Sequence, residues 1–126
     1  MIRLKQEPVK IAGVPVRNHL ILAAGVLGTC ASSLSRMLRQ GAGAVVTKSI
    51  GPEPRYGHAG PCVVVLEDGV LNAMGLPNPS KEFEQELSLL EGEPVIVSIF
   101  GGNPDEFHEV AGWFAKKAQA FELNVS

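Results

Sequence analysis

Four stretches of the chain are largely apolar: residues 20–24 and 44–46 without interruption, 95–99 broken only by Ser98, and 121–125 broken by Glu122 and Asn124. Continuous rather than alternating hydrophobicity suits strands covered on both faces, as in a parallel sheet. Each stretch delivers small or polar residues to its far end: Ala24 and Gly25, then Thr47, Lys48 and Ser49, then Ser98, then Asn124 with Ser126. Between the stretches the period changes to that of helices. Leu34, Met37 and Leu38 lie at i, i+3 and i+4 behind Ser32 or Ser33 as a cap, and Gly41 marks the stop. Phe83, Leu87 and Leu90 stripe a second helix, opened by Pro79 with Asn78 as its cap and closed at Gly92. Asn103, Pro104, Asp105 and Glu106 open a third. Its apolar face is Phe107, Val110, Ala111 and Phe114, and Lys116 and Lys117 suit the negative end of its dipole.

Two further segments alternate or turn sharply. Val9-Lys10-Ile11 and Val14-Pro15-Val16 flank Ala12-Gly13 as a short hairpin. Residues 62–66 and 70–71, joined by Glu67-Asp68-Gly69, form a second. The predicted order is hairpin, β, α, β, hairpin, α, β, α, β. Strands alternating with helices imply parallel strands joined by right-handed crossovers. A doubly wound sheet fits that order, and so does a (β/α)8 (TIM) barrel. Such a barrel takes about 250 residues, so this chain would supply its first four strands plus two hairpins, residues 1–126 being the amino-terminal half of one domain. The leading hairpin favours the barrel, because such a hairpin can plug a barrel's closed end.

Composition narrows the classes. The 126 residues carry a net charge of −2, which gives no electrostatic basis for binding nucleic acid or an anionic membrane surface. No apolar run approaches the roughly 20 residues that span a bilayer, and Met1 to Glu7 lacks the apolar core of a signal peptide. Cys30 and Cys62 are too few for a disulfide framework or a metal site. A cytoplasmic, reducing location and small-molecule chemistry without a metal are therefore expected.

In either architecture ligands bind beyond the carboxyl ends of the strands. One cation, several amide and hydroxyl groups and glycines that permit close approach suit a planar, polar, anionic ligand. Each residue also has a plainer role open to it. Lys48 can be a surface charge, Asn72 can serve an awkward turn, and Ser98 can hydrogen-bond to backbone. Asn124 stands at a strand end, and His58 in the long loop can be either functional or not.

Five segments together resemble one enzyme family. They are residues 22–28 (Leu-Ala-Ala-Gly-Val-Leu-Gly), 47–51 (Thr-Lys-Ser-Ile-Gly), 71–79 (Leu-Asn-Ala-Met-Gly-Leu-Pro-Asn-Pro), 98–102 (Ser-Ile-Phe-Gly-Gly) and 122–126 (Glu-Leu-Asn-Val-Ser). In that order they resemble the first half of the dihydroorotate dehydrogenases, most closely the class 1B catalytic subunit, which passes electrons to NAD. The resemblance implies an FMN-containing TIM barrel that oxidises dihydroorotate to orotate in pyrimidine biosynthesis. It implies that Ala24, Lys48, Ser49, Ser98 and Asn124 touch FMN, and that Lys48, Asn72, Ala73, Met74, Gly75, Leu76 and Asn124 hold the substrate. The implied reaction is proton abstraction from C5 with hydride transfer from C6. The implied base is a cysteine in the position after Ser126, to which neither Cys30 nor Cys62 corresponds, so the 126 residues alone are expected not to turn over.

The resemblance further implies an iron–sulfur and FAD subunit as partner, in a homodimer core or heterotetramer. Two alternatives keep the same segments. One is a related flavin barrel, either class 1A or of the dihydropyrimidine dehydrogenase type. The other is a catalytically inactive half-barrel that associates with itself.

Overall fold

Short parallel strands and the helices between them organise residues 9–126, which are the residues this computed structural model describes. The expectation about Met1 to Glu7 lies outside them. The elements are β1 (Val9–Ile11), β2 (Val14–Val16), β3 (Ile21–Leu22), α1 (Ala31–Arg39), β4 (Ala44–Val46), β5 (Val63–Leu66), β6 (Gly69–Asn72), α2 (Phe83–Ser88), β7 (Val95–Ile99), α3 (Pro104–Phe114) and β8 (Ala120–Leu123).

β3, β4, β7 and β8 form one sheet in that order, every neighbouring pair parallel. Spatial order therefore follows chain order with no reversal. A doubly wound sheet reverses its order at a switch point and carries helices on both faces. Here one apolar cluster joins Leu34 and Leu38 of α1, Phe83 and Leu87 of α2, and Val110 and Phe114 of α3 to Val45, Val95, Val97 and Ile99. Val95, Val97 and Ile99 alternate along β7, so they share one face of the sheet. All three helices thus cover the same face. That arrangement is compatible with part of a barrel wall, whose helices form an outer ring. Ser98 points to the opposite face, across from Glu122 in the register of β7 with β8.

The β1–β2 hairpin lies at the amino ends of the strands. The Arg17 amide donates to the Gly43 carbonyl at 3.0 Å, and the Arg17 guanidinium donates to Glu93 at 2.6 Å. Gly43 immediately precedes β4, and Glu93 is separated from β7 by Pro94 alone. The opposite, carboxyl ends are left to the loops that follow the strands. Among the described residues no helix is long and apolar enough to cross a membrane.

Several boundaries differ from those the sequence predicts. The outer strands are shorter and more open. β3 covers only Ile21–Leu22, with Leu20 57% exposed, and β8 ends at Leu123, itself 59% exposed. Each has a neighbour on one side only, whereas β4 and β7 are buried throughout.

Helix α1 is not capped by Ser32 or Ser33, which lie inside it. Cys30 takes the cap position without a side-chain bond, and the Ala31 amide donates to Glu86 of α2 at 2.6 Å. A carboxylate brought by tertiary packing thus replaces the local cap and complements the helix dipole. The second helix starts later than predicted, after a 3-10 turn over Ser80–Glu82, and ends at Ser88 rather than Gly92. Its predicted stripe of Phe83, Leu87 and Leu90 is buried all the same. Lys117 lies past the end of α3 and donates to Glu84 at 3.0 Å and to the Ser88 hydroxyl at 2.7 Å, tying α3 to α2. That hydrogen bond, with the ammonium's charge, holds the Glu84 carboxyl below its ordinary value.

Helix α3 offers a clean stability test. Gly112 sits on its exposed side with no atom within 4 Å of where a Cβ would stand. Gly112→Ala should therefore raise stability by about 0.5–1 kcal/mol, because alanine loses less backbone entropy in a helix. A higher urea midpoint at unchanged slope is the expected result.

Candidate active site

The sequence-predicted residues gather at the carboxyl ends of the strands in two adjoining groups. The first lines a cavity of about 540 Å³ walled by Ala24, Gly25 and Val26 after β3, Lys48 after β4, Val63 and Val70 of the second hairpin, and Asn72, Met74, Gly75 and Leu76. Lys48 is half-buried, and among the described residues its ammonium has no ion-pair partner. Among the described residues no acidic side chain contributes to the wall. A half-buried cation among mostly apolar described walls suits an anionic ligand.

The second group is a chain of hydrogen bonds on the sheet face away from the helices. The Ser49 and Ser98 hydroxyls are 3.0 Å apart, and the Asn124 amide donates to Ser49 at 3.2 Å. Ser98 is fully buried and Ser49 nearly so, and the Ser98 hydroxyl finds its partner in the side chain of Ser49, in the loop after β4, rather than in backbone. Asn124 also accepts from the Ser126 amide at 3.2 Å and from its hydroxyl at 2.7 Å. It lines a second cavity, of about 460 Å³, with Leu76, Phe100 and the start of α3. Leu76 faces both cavities, and Ser49 follows Lys48 directly, so the two groups adjoin at one end of the sheet.

The Asn72 to Leu76 stretch is built as a ribbon. β5 and β6 pair antiparallel, with Val63 opposite Asn72 and Val65 opposite Val70. The pairing continues below the hairpin. The Ala73 amide donates to the Cys62 carbonyl at 2.8 Å, the His58 amide to Met74 at 3.1 Å, and Arg55 and Asn78 exchange backbone bonds at 2.9 Å. Ala73 is thus held through its backbone and is not part of the cavity wall. Gly75 (φ +76) and Leu76 (φ +52) both take left-handed conformations, and a Cβ on Gly75 would stand 2.8 Å from the His58 amide nitrogen. Leucine in that conformation costs about 1–2 kcal/mol, a strain of the kind held at ligand sites. His58, undecided from sequence, therefore backs the ribbon opposite Gly75.

Asn78 accepts from Gly51 at 3.1 Å and from Ser80 at 2.9 Å, and pins the ribbon's base to the loop after β4. The Arg55 guanidinium lies 5.3 Å from the Phe100 ring centre and adds the loop after β7.

Val63 and Val70 were not predicted as site residues. Two-residue alternation could have found them, because Val70 is two before Asn72 and Val63 lies directly across from it, all on one face of the hairpin. Neither cysteine stands beside Asn124. Cys30 opens α1, where bonds to the Ser32 hydroxyl and the Ser33 backbone lower its thiol pKa, and Cys62 adjoins β5.

The family model for dihydroorotate dehydrogenase matches residues 7–126. The chain belongs to the dihydroorotate dehydrogenase family. It is 57% identical over 117 residues to the protein of Methanocella arvoryzae named dihydroorotate dehydrogenase B (NAD(+)), catalytic subunit, covering 90% of this chain and 38% of that one. The proteins of the same name from Methanosarcina mazei and Pyrococcus abyssi are 57% and 51% identical, over 92% and 94% of this chain. The chain spans 38–40% of the length of these curated relatives. Within that span lie both residue groups described above. Each of these relatives is, by its name, the catalytic subunit of an NAD(+)-linked enzyme.

Proposed function

We propose that this chain forms the amino-terminal part of the catalytic subunit of an NAD-linked dihydroorotate dehydrogenase, which oxidises dihydroorotate to orotate in pyrimidine biosynthesis. One observation carries the reading: the ammonium of Lys48, without an ion-pair partner among the described residues, in a cavity whose other described walls are apolar except for Asn72 and the backbone of residues 74–76. A six-membered ring bearing a carboxylate, with alternating N–H and C=O groups on its edge, matches that wall. Asn72 and Asn124 carry carboxamides, which can pair with such an edge. Gly75 lets backbone amides approach the carboxylate.

The residues also fit FMN. Ala24 and Gly25 leave the cavity wall flat and free of bulk where an aromatic ring system would stack, and Ser49, Ser98 and Asn124 supply polar atoms on the adjoining face. Bound there, FMN would take the hydride released from the substrate's C6. Lys48 sets a fixed positive charge where negative charge develops, and Asn72 through Leu76 hold the carboxylate end. Val63 and Val70 give one side of the cavity an apolar wall.

The parallel sheet, read with the family, belongs to a (β/α)8 barrel, its carboxyl ends forming the mouth. The relatives' name supports a partner subunit that relays electrons to NAD, and an iron–sulfur and FAD protein suits that role. The assembly is a homodimer core or a heterotetramer with that partner. The expected location is the cytoplasm.

The test is dihydroorotate oxidation by the full-length protein loaded with FMN, with and without the partner subunit and NAD. Orotate formation with bleaching of flavin absorbance is the expected result. Tight orotate binding without any turnover, or turnover of another pyrimidine in preference, would overturn the assignment.

A further inference from the structure

The loop after β3 and the end of β4 meet backbone to backbone at one residue, Gly28. Residues Val26–Gly28 make a 3-10 turn, closed by the Gly28 amide donating to Gly25 at 3.0 Å. The Gly28 carbonyl in turn accepts from the Lys48 amide at 2.9 Å. Gly28 is buried, and a Cβ there would overlap the Lys48 backbone nitrogen and stand 2.7 Å from the Thr47 carbonyl carbon and 2.8 Å from the Val46 oxygen. All three are backbone atoms at the end of a buried strand, so no side chain can swing aside. The strand cannot retreat either, because the Thr47 amide is bonded to Ile96 of β7 at 3.0 Å. The two segments joined at this point carry neighbouring parts of the same cavity, Ala24 to Val26 on one side and Lys48 on the other.

We propose that Gly28 is a positioning residue for Lys48. Having no side chain, it lets the loop after β3 lie flush on the strand end. The depth of the ammonium relative to the Ala24–Val26 wall is thereby fixed, and the two walls move as one body. The inference rests on the reading of this cavity as the substrate and flavin site. Gly28 touches neither ligand in this account and acts through the lysine.

The experiment compares Gly28→Ala with Gly112→Ala in the full-length protein, reading orotate affinity by calorimetry and backbone amide exchange by NMR or mass spectrometry. Gly28→Ala should weaken orotate binding by about 10- to 100-fold, as expected for a displacement approaching 1 Å. It should also speed exchange of the Lys48 amide by at least about tenfold while the Val97 and Val110 amides keep their protection. Gly112→Ala should change neither. Orotate affinity within twofold of the parent, together with an equally protected Lys48 amide, overturns the proposal. If Gly28→Ala does not fold, the unaltered protein decides. The Lys48 amide should then exchange as slowly as that of Thr47, and markedly faster exchange at Lys48 overturns the proposal. An unaltered protein that takes up no orotate sinks the proposed function instead, and the exchange comparison still judges Gly28.

Discussion

Lys48→Ala in the full-length protein should lower kcat/KM for dihydroorotate by about 10²- to 10³-fold, the loss typical of removing one fixed group that stabilises developing charge. Orotate affinity should fall as well, because among the described residues the lysine is the only charged group in the wall of the first cavity. Thermal stability should hold or rise. A half-buried ammonium with no described ion-pair partner contributes desolvation cost to the folded state, and alanine removes it. Activity and stability thus move independently or in opposite directions, which separates a ligand-binding lysine from a structural one. Lys48→Arg should rescue little, since a planar fork cannot occupy the place of a compact ammonium. Steady-state kinetics and a melting curve on the same preparations make the comparison. Unchanged kcat/KM would remove Lys48 from the site, and a large fall in melting temperature would make its role structural.

The second large effect concerns stability. Phe114→Ala should destabilise the protein by about 3–5 kcal/mol, the range for emptying a fully buried aromatic position. Phe114 is 0% exposed, belongs to the cluster that α1, α2 and α3 share, and meets Trp113 edge to face, the ring centres 6.1 Å apart. The surrounding side chains come from separate elements packed on one sheet face, so the void cannot be filled by a local shift. With total stabilities of about 5–15 kcal/mol for a domain, this one change approaches the limit of folding. Equilibrium urea unfolding measures it. A loss below about 1 kcal/mol would mean that the helices do not converge on Phe114, and the one-faced sheet would have to be redrawn.

The inner strands β4 and β7 were legible because each apolar run is short and then gives way to polar residues or glycine. Lys48 and Ser49 after β4, and Asn124 after β8, were placed at one end of the sheet by that logic alone. The hairpin over Val63–Asn72 followed from Asp68-Gly69, and the stripe of Phe83, Leu87 and Leu90 was buried as its spacing required. Helix ends fared worse. Ser32 and Ser33 were plausible caps by type, yet Glu86, 55 residues away from Ala31 along the chain, supplies the bond. Lys117 looked like a dipole partner for its own helix and instead reaches Glu84 and Ser88. Such contacts depend on which helices lie side by side, and local spacing carries no record of that.

By itself, then, the chain's pattern determined the succession of strands and helices and the polar residues released at each strand end, because periodicity and turn chemistry act within a few residues. Only the tertiary structure decided that three helices share one face, that Ser49, Ser98 and Asn124 join across strands, and that His58 backs Gly75. These depend on sheet order, cross-strand register and backbone approach, which arise when distant segments pack together.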